Sequence, residues 1–263
     1  MLNAIKTLAV LVNYGDNQLQ YLKQVVQELK SFKKYDVSVI VNSNIPLDID
    51  SIDKVNIIKL RNYQYLPLTC RQVIWNHKDD FDIFIYGEND HLLKEYHVDK
   101  HLEYLKIIPN DRITGLIAYE ENEAGRHYPA YHWRYDWDYN SVEEYQGKKF
   151  AHFTCVHQAT FILTKEQLHK IGKMYDFTQF LGPEPKSWLK RYSVKCRVNT
   201  DIYQLCGMKK LICISEFEDN LIHHLPNYYI NGEQGRKKLG SSDDVMQKAI
   251  NRMLCQNIEN SNG

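Results

Sequence analysis

The order of apolar segments between Thr7 and Asp90 restricts the fold of this chain more than any other property. Residues 7–12 form a short run of Leu, Ala and Val that reads as a buried strand. The turn Asn13-Tyr14-Gly15-Asp16 follows, with Asp16 placed to cap a helix. In that helix Leu19, Leu22, Val25, Val26 and Leu29 recur at helical spacing. Residues 36–41 and 54–60 read as further strands, 68–77 as a helix and 82–86 as a fourth strand. Strand, helix, strand, strand, helix, strand implies a parallel sheet with right-handed crossovers.

The fourth strand ends in Gly87-Glu88-Asn89-Asp90. Gly87 is expected to turn the chain sharply. Glu88 and Asp90 then lie just past the strand's carboxyl end, where open α/β sheets bind ligands. Two hard carboxylates there suit a shared Mg²⁺ or Mn²⁺ carrying a diphosphate. The competing reading is a solvated polar loop.

Bulk properties narrow the function. The chain has 263 residues, 43% apolar and 25% charged, in the range of one large domain or a domain with an appendage. Its net charge of zero gives no electrostatic footprint for nucleic acid. The longest clean apolar run, residues 8–12, is far short of the roughly 20 needed to cross a bilayer. With no signal-peptide core in view either, a cytoplasmic protein is expected. Six cysteines without CxxC spacing read as free thiols, not as a zinc site or a disulfide framework.

Beyond Asp90 the expected elements are a helix over 95–108, a strand over 112–119 and an extended stretch over 151–163. Thr164 caps a helix over 165–174, and 200–206 is helical. A short strand covers 210–214. Residues 120–149 read as irregular, aromatic and charged, with Trp133, Tyr135 and Trp137 close together. After His223-His224, residues 231–242 form a polar linker. An amphipathic helix over 243–258 is expected to pack on its own domain, with an oligomer or peripheral membrane contact as the alternative.

Taken in order, these features resemble GT-A glycosyltransferases, especially the inverting family-2 type. The resemblance runs from about Thr7 to His224. Residues 8–15 with the Leu-rich helix look like the family's opening strand and nucleotide-facing loop, which implies donor contacts from Asn13 and Tyr14. Val37-Ser38-Val39-Ile40-Val41-Asn42-Ser43-Asn44 looks like its second strand and polar turn, with Asn42 where the family usually offers an aspartate to the base. Leu68-Thr69-Cys70-Arg71 resembles the segment that often carries an Arg-Asn pair, here Arg71-Gln72. Glu88-Asn89-Asp90 resembles the metal-binding acid-any-acid motif, with Glu88 replacing the usual first aspartate. Gln158-Ala159-Thr160-Phe161-Ile162-Leu163 resembles the acceptor-side strand. Asn199-Thr200-Asp201, running on to Gly207, resembles the segment with the catalytic acid. His223 or His224 falls where a late histidine can complete the metal site.

The resemblance implies a GT-A, Rossmann-like fold: a mostly parallel central sheet flanked by helices, with an acceptor-side extension and a C-terminal helix. Residues 1–230 would form the glycosyltransferase domain, with a nucleotide-sugar half near 1–118 and an acceptor half near 119–230. Residues 231–263 would form the linker and terminal helix. The implied partners are a nucleotide-diphosphate sugar and a saccharide or glycoconjugate acceptor, with Mn²⁺ or Mg²⁺ as cofactor. A QxxRW-like motif of processive synthases is absent, so a single transfer is expected.

Sugar transfer needs a neutralised diphosphate and a deprotonated acceptor hydroxyl. The resemblance implies Asp90, with Glu88 in support, as the candidate metal anchor, Arg71 and Asn89 as donor contacts, Trp133 and Tyr135 as acceptor contacts, and Asp201 as the candidate general base. The alternative for Arg71 is an exposed helix arginine, and for Asp201 a helix N-cap. His97 and His101 have the i, i+4 spacing of zinc ligands but lack the Glu of an HExxH site and look solvated. A nucleotidyltransferase or a non-catalytic carbohydrate-binding protein are the other classes this sequence leaves open.

Overall fold

The computed structural model describes residues 4–129, 137–155, 159–180, 194, 198, 207–233 and 240–256. Trp133, Tyr135, Gln158 and Asp201 lie outside the described residues.

The central sheet contains β1 (Ile5–Asn13), β2 (Tyr35–Ser43), β3 (Lys54–Ile57) and β4 (Ile83–Glu88), all parallel, in the order β4-β1-β2-β3. The strand Thr160–Thr164, β11 in chain order, adds an antiparallel edge beside β4. Both faces are covered, which is why these strands are continuously apolar. On one face Leu22, Val25, Val26 and Leu29 of α1 (Leu19–Lys30) pack on Ala9, Leu11, Ile83 and Ile85. Each such side chain contributes roughly 1.5–3 kcal/mol by burial. On the other face Leu66, Cys70 and Ile74 of α2 (Leu66–Asn76) pack on Leu8, Val10, Phe84 and Tyr86.

The chain continues through β5 (His91–Leu92), α3 (Glu95–Leu105), β6 (Arg112–Thr114), β7 (Ile117–Asn122), β8 (Gly125–Pro129), β9 (Trp137–Tyr145) and β10 (Lys148–Phe153). After β11 come α4 (Lys165–Met174), β12 (Lys209–Cys213), β13 (Leu221–His224), the short α5 (Tyr228–Asn231), β14 (Gly240–Ser242) and α6 (Asp243–Leu254). Two further sheets result, in the orders β6-β12-β10-β9 and β14-β8-β7-β13-β5. The mixed α/β architecture with helices flanking a mostly parallel central sheet agrees with expectation.

Local differences have physical causes. The described parts of 120–149 are not irregular: β8 and β9 lie in them, and alternating half-buried charged residues hid the strands. Gly87 does not turn the chain. It lies inside β4, and a Cβ there would sit 3.2 Å from Leu11 Cδ2, so it serves close strand packing. Asp16 offers only its carbonyl, to Leu19 N at 3.3 Å, and α1 starts with no side-chain cap. Thr164 does cap α4, in a capping box with Gln167.

His97 and His101 are buried, not solvated. His97 Nε2 donates to the Leu221 carbonyl at 2.9 Å, while Nδ1 accepts from Lys94 N. His101 Nδ1 accepts from the Thr114 hydroxyl at 2.7 Å, and Nε2 donates to Gln167 Oε1 at 3.1 Å. Burial pushes both imidazoles down to about 4, so they are neutral tethers of α3. The terminal helix α6 packs Met246, Ile250 and Met253 against Trp137, Phe153 and Phe217, as expected for a helix docked on its own domain. Of the described cysteines, Cys70, Cys155 and Cys213 are buried free thiols and Cys255 is exposed. Among the described residues no helix is long and apolar enough to cross a membrane.

Gly172 of α4 gives a direct test of this packing. A Cβ there would lie 2.1 Å from Trp75 Cη2, and the Trp75 ring is itself stacked on Phe177. Gly172→Ala should destabilise the chain by about 1–3 kcal/mol despite its better helix propensity. Urea unfolding measures the change. A stabilised Gly172→Ala variant would show that α2 and α4 do not meet in this way.

Candidate active site

In the strand order β4-β1-β2-β3 the chain leaves β1 toward one side and later returns to the other, so the switch point lies between β1 and β4. Ligands of open α/β sheets bind outside the carboxyl ends at such a point. Here those ends are tied by side-chain amides. Asn89 Nδ2 donates to Asn13 Oδ1 at 2.7 Å. Asn13 Nδ2 donates to the Gly15 carbonyl at 2.9 Å and to Ser43 Oγ at 3.2 Å. Gly15 N in turn donates to Asn44 Oδ1 at 2.7 Å. Gly15 holds φ at 72°, a left-handed turn that favours glycine.

This tight turn leaves Tyr14 62% exposed at the rim, its ring 5.2 Å from that of Tyr63. Asn13 and Asn89, by contrast, are buried and tie the loops together. Asn42 does not face the crevice as the donor reading expects. It is fully buried, its Oδ1 accepts from Asn56 Nδ2 at 2.9 Å, and its Nδ2 donates to Thr69 Oγ1 at 2.8 Å. Fully buried, with its oxygen turned to Asn56 and its nitrogen to Thr69, the amide is spent on tying β2 to β3 and α2.

Arg71 also differs from both readings of it. It is 2% exposed, so it is not a solvated helix arginine. Nor is its guanidinium held ready for a diphosphate: Nη2 donates to the Val198 carbonyl at 2.6 Å and Nη1 to the Gln179 carbonyl at 3.3 Å. Arg71 therefore fixes main chain on either side of 181–193.

The acids form the centre of the site. Ligand atoms of Glu88, Asp90 and His91 all lie within 4.8 Å of one another, and all three residues are buried. Asp90 Oδ1 is 2.9 Å from His91 Nδ1, and Oδ2 accepts from Gln18 Nε2 at 3.0 Å. His224 Nε2 stands 3.3 Å from the same Oδ2. On its far side His224 Nδ1 is 2.6 Å from Glu120 Oε1, and Glu120 Oε2 accepts from Ile230 N at 2.6 Å. Strand pairing assembles this row: β5 and β13 set His91 opposite His224, and β7 beside β13 brings in Glu120.

Alternation along β13 puts His223 on the other face, where it stacks on Tyr119 at 4.9 Å. Of the two adjacent histidines, His224 is the one on Asp90.

The charges are coupled. Burial would raise the Asp90 carboxyl, but His224 and His91 hold it well below the ordinary carboxylate range. Burial would lower His224, yet Asp90 and Glu120 lift it to about 9. Asp90 and Glu120 have histidine and amide partners and, among the described residues, no Lys or Arg ion pair. Asp90 and Glu120 thus share one imidazolium. A buried set of carboxylate and imidazole donors fits a divalent cation, and mixed oxygen and nitrogen donors suit Mn²⁺ better than Mg²⁺, which takes oxygen ligands.

Gln18, His91 and Glu120 are absent from the residues expected from sequence. His91 directly follows the acid motif, and that adjacency was the available signal. Glu120 is joined to His224 across 104 positions, which only the β7–β13 pairing reveals. The sequence-predicted Asp201, Trp133 and Tyr135 lie outside the described residues.

No protein-family model and no curated protein matches this chain. Two solved structures of S. aureus TarS are similar in fold. One, of residues 1–349, has a TM-score of 0.48 at 10% identity, covering 97% of this chain and 67% of that one. The other has a TM-score of 0.48 at 11% identity, covering 86% and 38% respectively. Likeness at that level leaves function to be argued from the site.

The His224 pair predicts a pH dependence with a definite sign. Its folded pKa is raised, so the ion pair contributes fully below about 6.5 and is lost as pH rises through about 9. In Glu120→Gln the imidazole loses one of its two anions. Its NMR titration midpoint in the metal-free chain should drop from about 9 toward the ordinary histidine value. Alkaline loss of stability should begin at correspondingly lower pH. A midpoint unchanged by Glu120→Gln would show that Glu120 does not charge His224.

Proposed function

We propose that this chain is a GT-A type glycosyltransferase that moves one sugar from a nucleotide-diphosphate sugar to a hydroxyl acceptor, with inversion. The observation that carries the reading is the buried cluster of Glu88, Asp90 and His91 at the β1–β4 switch point. A purely structural acid pair has no need of three buried ligand atoms gathered where a sheet of this order binds nucleotides.

In this reading Glu88, Asp90 and His91 hold the cation. When bound, it supplies Lewis-acid neutralisation of the leaving diphosphate. The chain's own residues supply the rest. Gln18 and His224 orient the Asp90 carboxylate from two further directions. His224 joins the ligand set only after giving up its Nε2 proton, and Glu120 behind it fixes the ring as second-shell carboxylates do. Tyr14 presents a ring at the rim for the nucleobase, with Asn13 and Asn89 holding the loops beneath it. Asp201 takes the acceptor proton, and Trp133 and Tyr135 shape the acceptor side.

The experiment incubates the intact chain with a panel of nucleotide-diphosphate sugars and Mn²⁺, and follows thermal shift and nucleotide release. Bound donor raises the melting temperature by mass action. Asp90→Asn should remove the Mn²⁺-dependent part of that shift and abolish transfer. Asp201→Asn should lower kcat by about 10²- to 10⁴-fold with little change in donor affinity. NMR of the product should show the anomeric configuration opposite to the donor's. An Asp90→Asn chain that binds donor and Mn²⁺ like the parent rejects the metal assignment. Retained configuration, or near-normal kcat in Asp201→Asn, removes Asp201 from the mechanism.

A further inference from the structure

Arg71 is a buried cation that the proposed transfer leaves without a role. Its place in the fold is nonetheless close to the site. Cys70 Sγ donates to the Leu11 carbonyl at 3.7 Å, and Thr69 Oγ1 accepts from Asn42 Nδ2 at 2.8 Å. These contacts lay α2 over the carboxyl halves of β1 and β2. Charge brings Arg71 near the end of β4 as well. Burial pushes the Tyr86 phenol well above its ordinary value, Glu88 pushes it the same way and Arg71 opposes them.

The two carbonyls that Arg71 holds differ in their other supports. Near Gln179, Phe177 stacks on Trp75 at 6.0 Å, and Phe180 meets the Tyr65 ring edge-on at 5.4 Å. That stretch stays on α2 with or without the guanidinium. Val198 is different. It is 1% exposed, and among the described residues Arg71 supplies the one side-chain hydrogen bond to it. At 2.6 Å that bond has the short length of a charge-assisted contact.

A structural staple explains why the guanidinium is buried and bonded to main chain. It leaves open why the staple grips residue 198 at this end of the sheet. Asp201 follows Val198 by three residues, and three residues of chain span at most about 11 Å. A side chain that fixes Val198 beside α2 thus limits where Asp201 can lie. A general base works only within hydrogen-bond reach of its proton. A misplacement of about 1 Å costs on the order of 10²-fold in rate.

We propose that Arg71 is a positioning residue, which holds Val198 beside α2 and so sets Asp201 for proton transfer without itself touching donor or acceptor. The catalytic consequence rests on the glycosyltransferase reading above. The tether does not.

The test compares Arg71→Lys and Arg71→Met in the intact chain. Lysine keeps the charge but replaces a planar fork that spans two carbonyls with one ammonium. Methionine keeps an unbranched side chain and removes the donors. Hydrogen exchange read by mass spectrometry should speed up at least about tenfold in peptides covering 199–206 and stay unchanged over β1 and β4. With a nucleotide-diphosphate sugar that the parent turns over, kcat should fall about 10²-fold while donor KM holds. In the double variant with Asp201→Asn, kcat should be no lower than in Asp201→Asn alone, because both changes remove one function. If Arg71→Met does not fold, Arg71→Lys decides.

A normal kcat in the folded variants overturns the proposal. So does a raised donor KM at unchanged kcat, which would make Arg71 a donor contact. Multiplying losses in the double variant, or exchange that speeds up equally over β1 and β4, would reduce Arg71 to a general staple. A parent chain that turns over no nucleotide sugar rejects the glycosyltransferase reading. Faster exchange confined to 199–206 in that case keeps the tether and removes its catalytic role.

Discussion

The Asp90–His224–Glu120 row is the interaction on which the rest of the site depends. Two carboxylates and one imidazole are almost completely buried, at 5%, 3% and 0% exposure for Asp90, His224 and Glu120. Removing such groups from water is costly unless each charge meets another, with hydrogen bonds on the remaining atoms. The structure meets that condition with His91 and Gln18 on Asp90 and with Ile230 N on Glu120. These partners come from β5, the segment before α1, β7, β13 and α5. A single charge row thus joins the central sheet to the sheet that carries β13, and it places an anionic centre at the mouth of the β1–β4 crevice.

Around that centre the fold works by anchoring loops. The amide chain Asn89–Asn13–Ser43 links the ends of three parallel strands. Arg71 holds the main chain at 179 and 198 from below. Neither feature requires a ligand, and both fix the geometry into which one would come. The same logic explains why His97 and His101 are neutral: burial disfavours their charged forms, and each ring nitrogen meets one hydrogen-bond partner that fastens α3.

Much of the first 90 residues was legible because the relevant signals are local. Continuous apolar runs mark strands buried on both faces, and Leu22, Val25, Val26 and Leu29 mark the one face of α1. Thr164 with Gln167 is a capping signature that works as written. The acid motif, too, stands where the strand pattern puts it. What failed is what depends on distant partners. Asn42 looked like a donor contact because it stands where the resembled family offers an aspartate to the base, yet Asn56 and Thr69 close around it. Gly87 looked like a hinge, but its role comes from Leu11 on the next strand. Glu120 carries no local sign of function, since a lone acid in a half-polar strand resembles any solvated residue. His223 and His224 are indistinguishable in sequence and separated only by the alternation of β13.

The central claim is that the Asp90 cluster is a divalent-cation site. The most direct measurement is an anomalous difference map from crystals of this chain grown with Mn²⁺ and a nucleoside diphosphate. The account predicts one dominant manganese peak within about 2.0–2.6 Å of carboxylate oxygens of Glu88 and Asp90, with an imidazole nitrogen completing the protein ligands. A diphosphate oxygen should share the metal. Nucleotide bound at the β1–β4 crevice with no manganese at the cluster, and His224 still paired with Asp90, would contradict it.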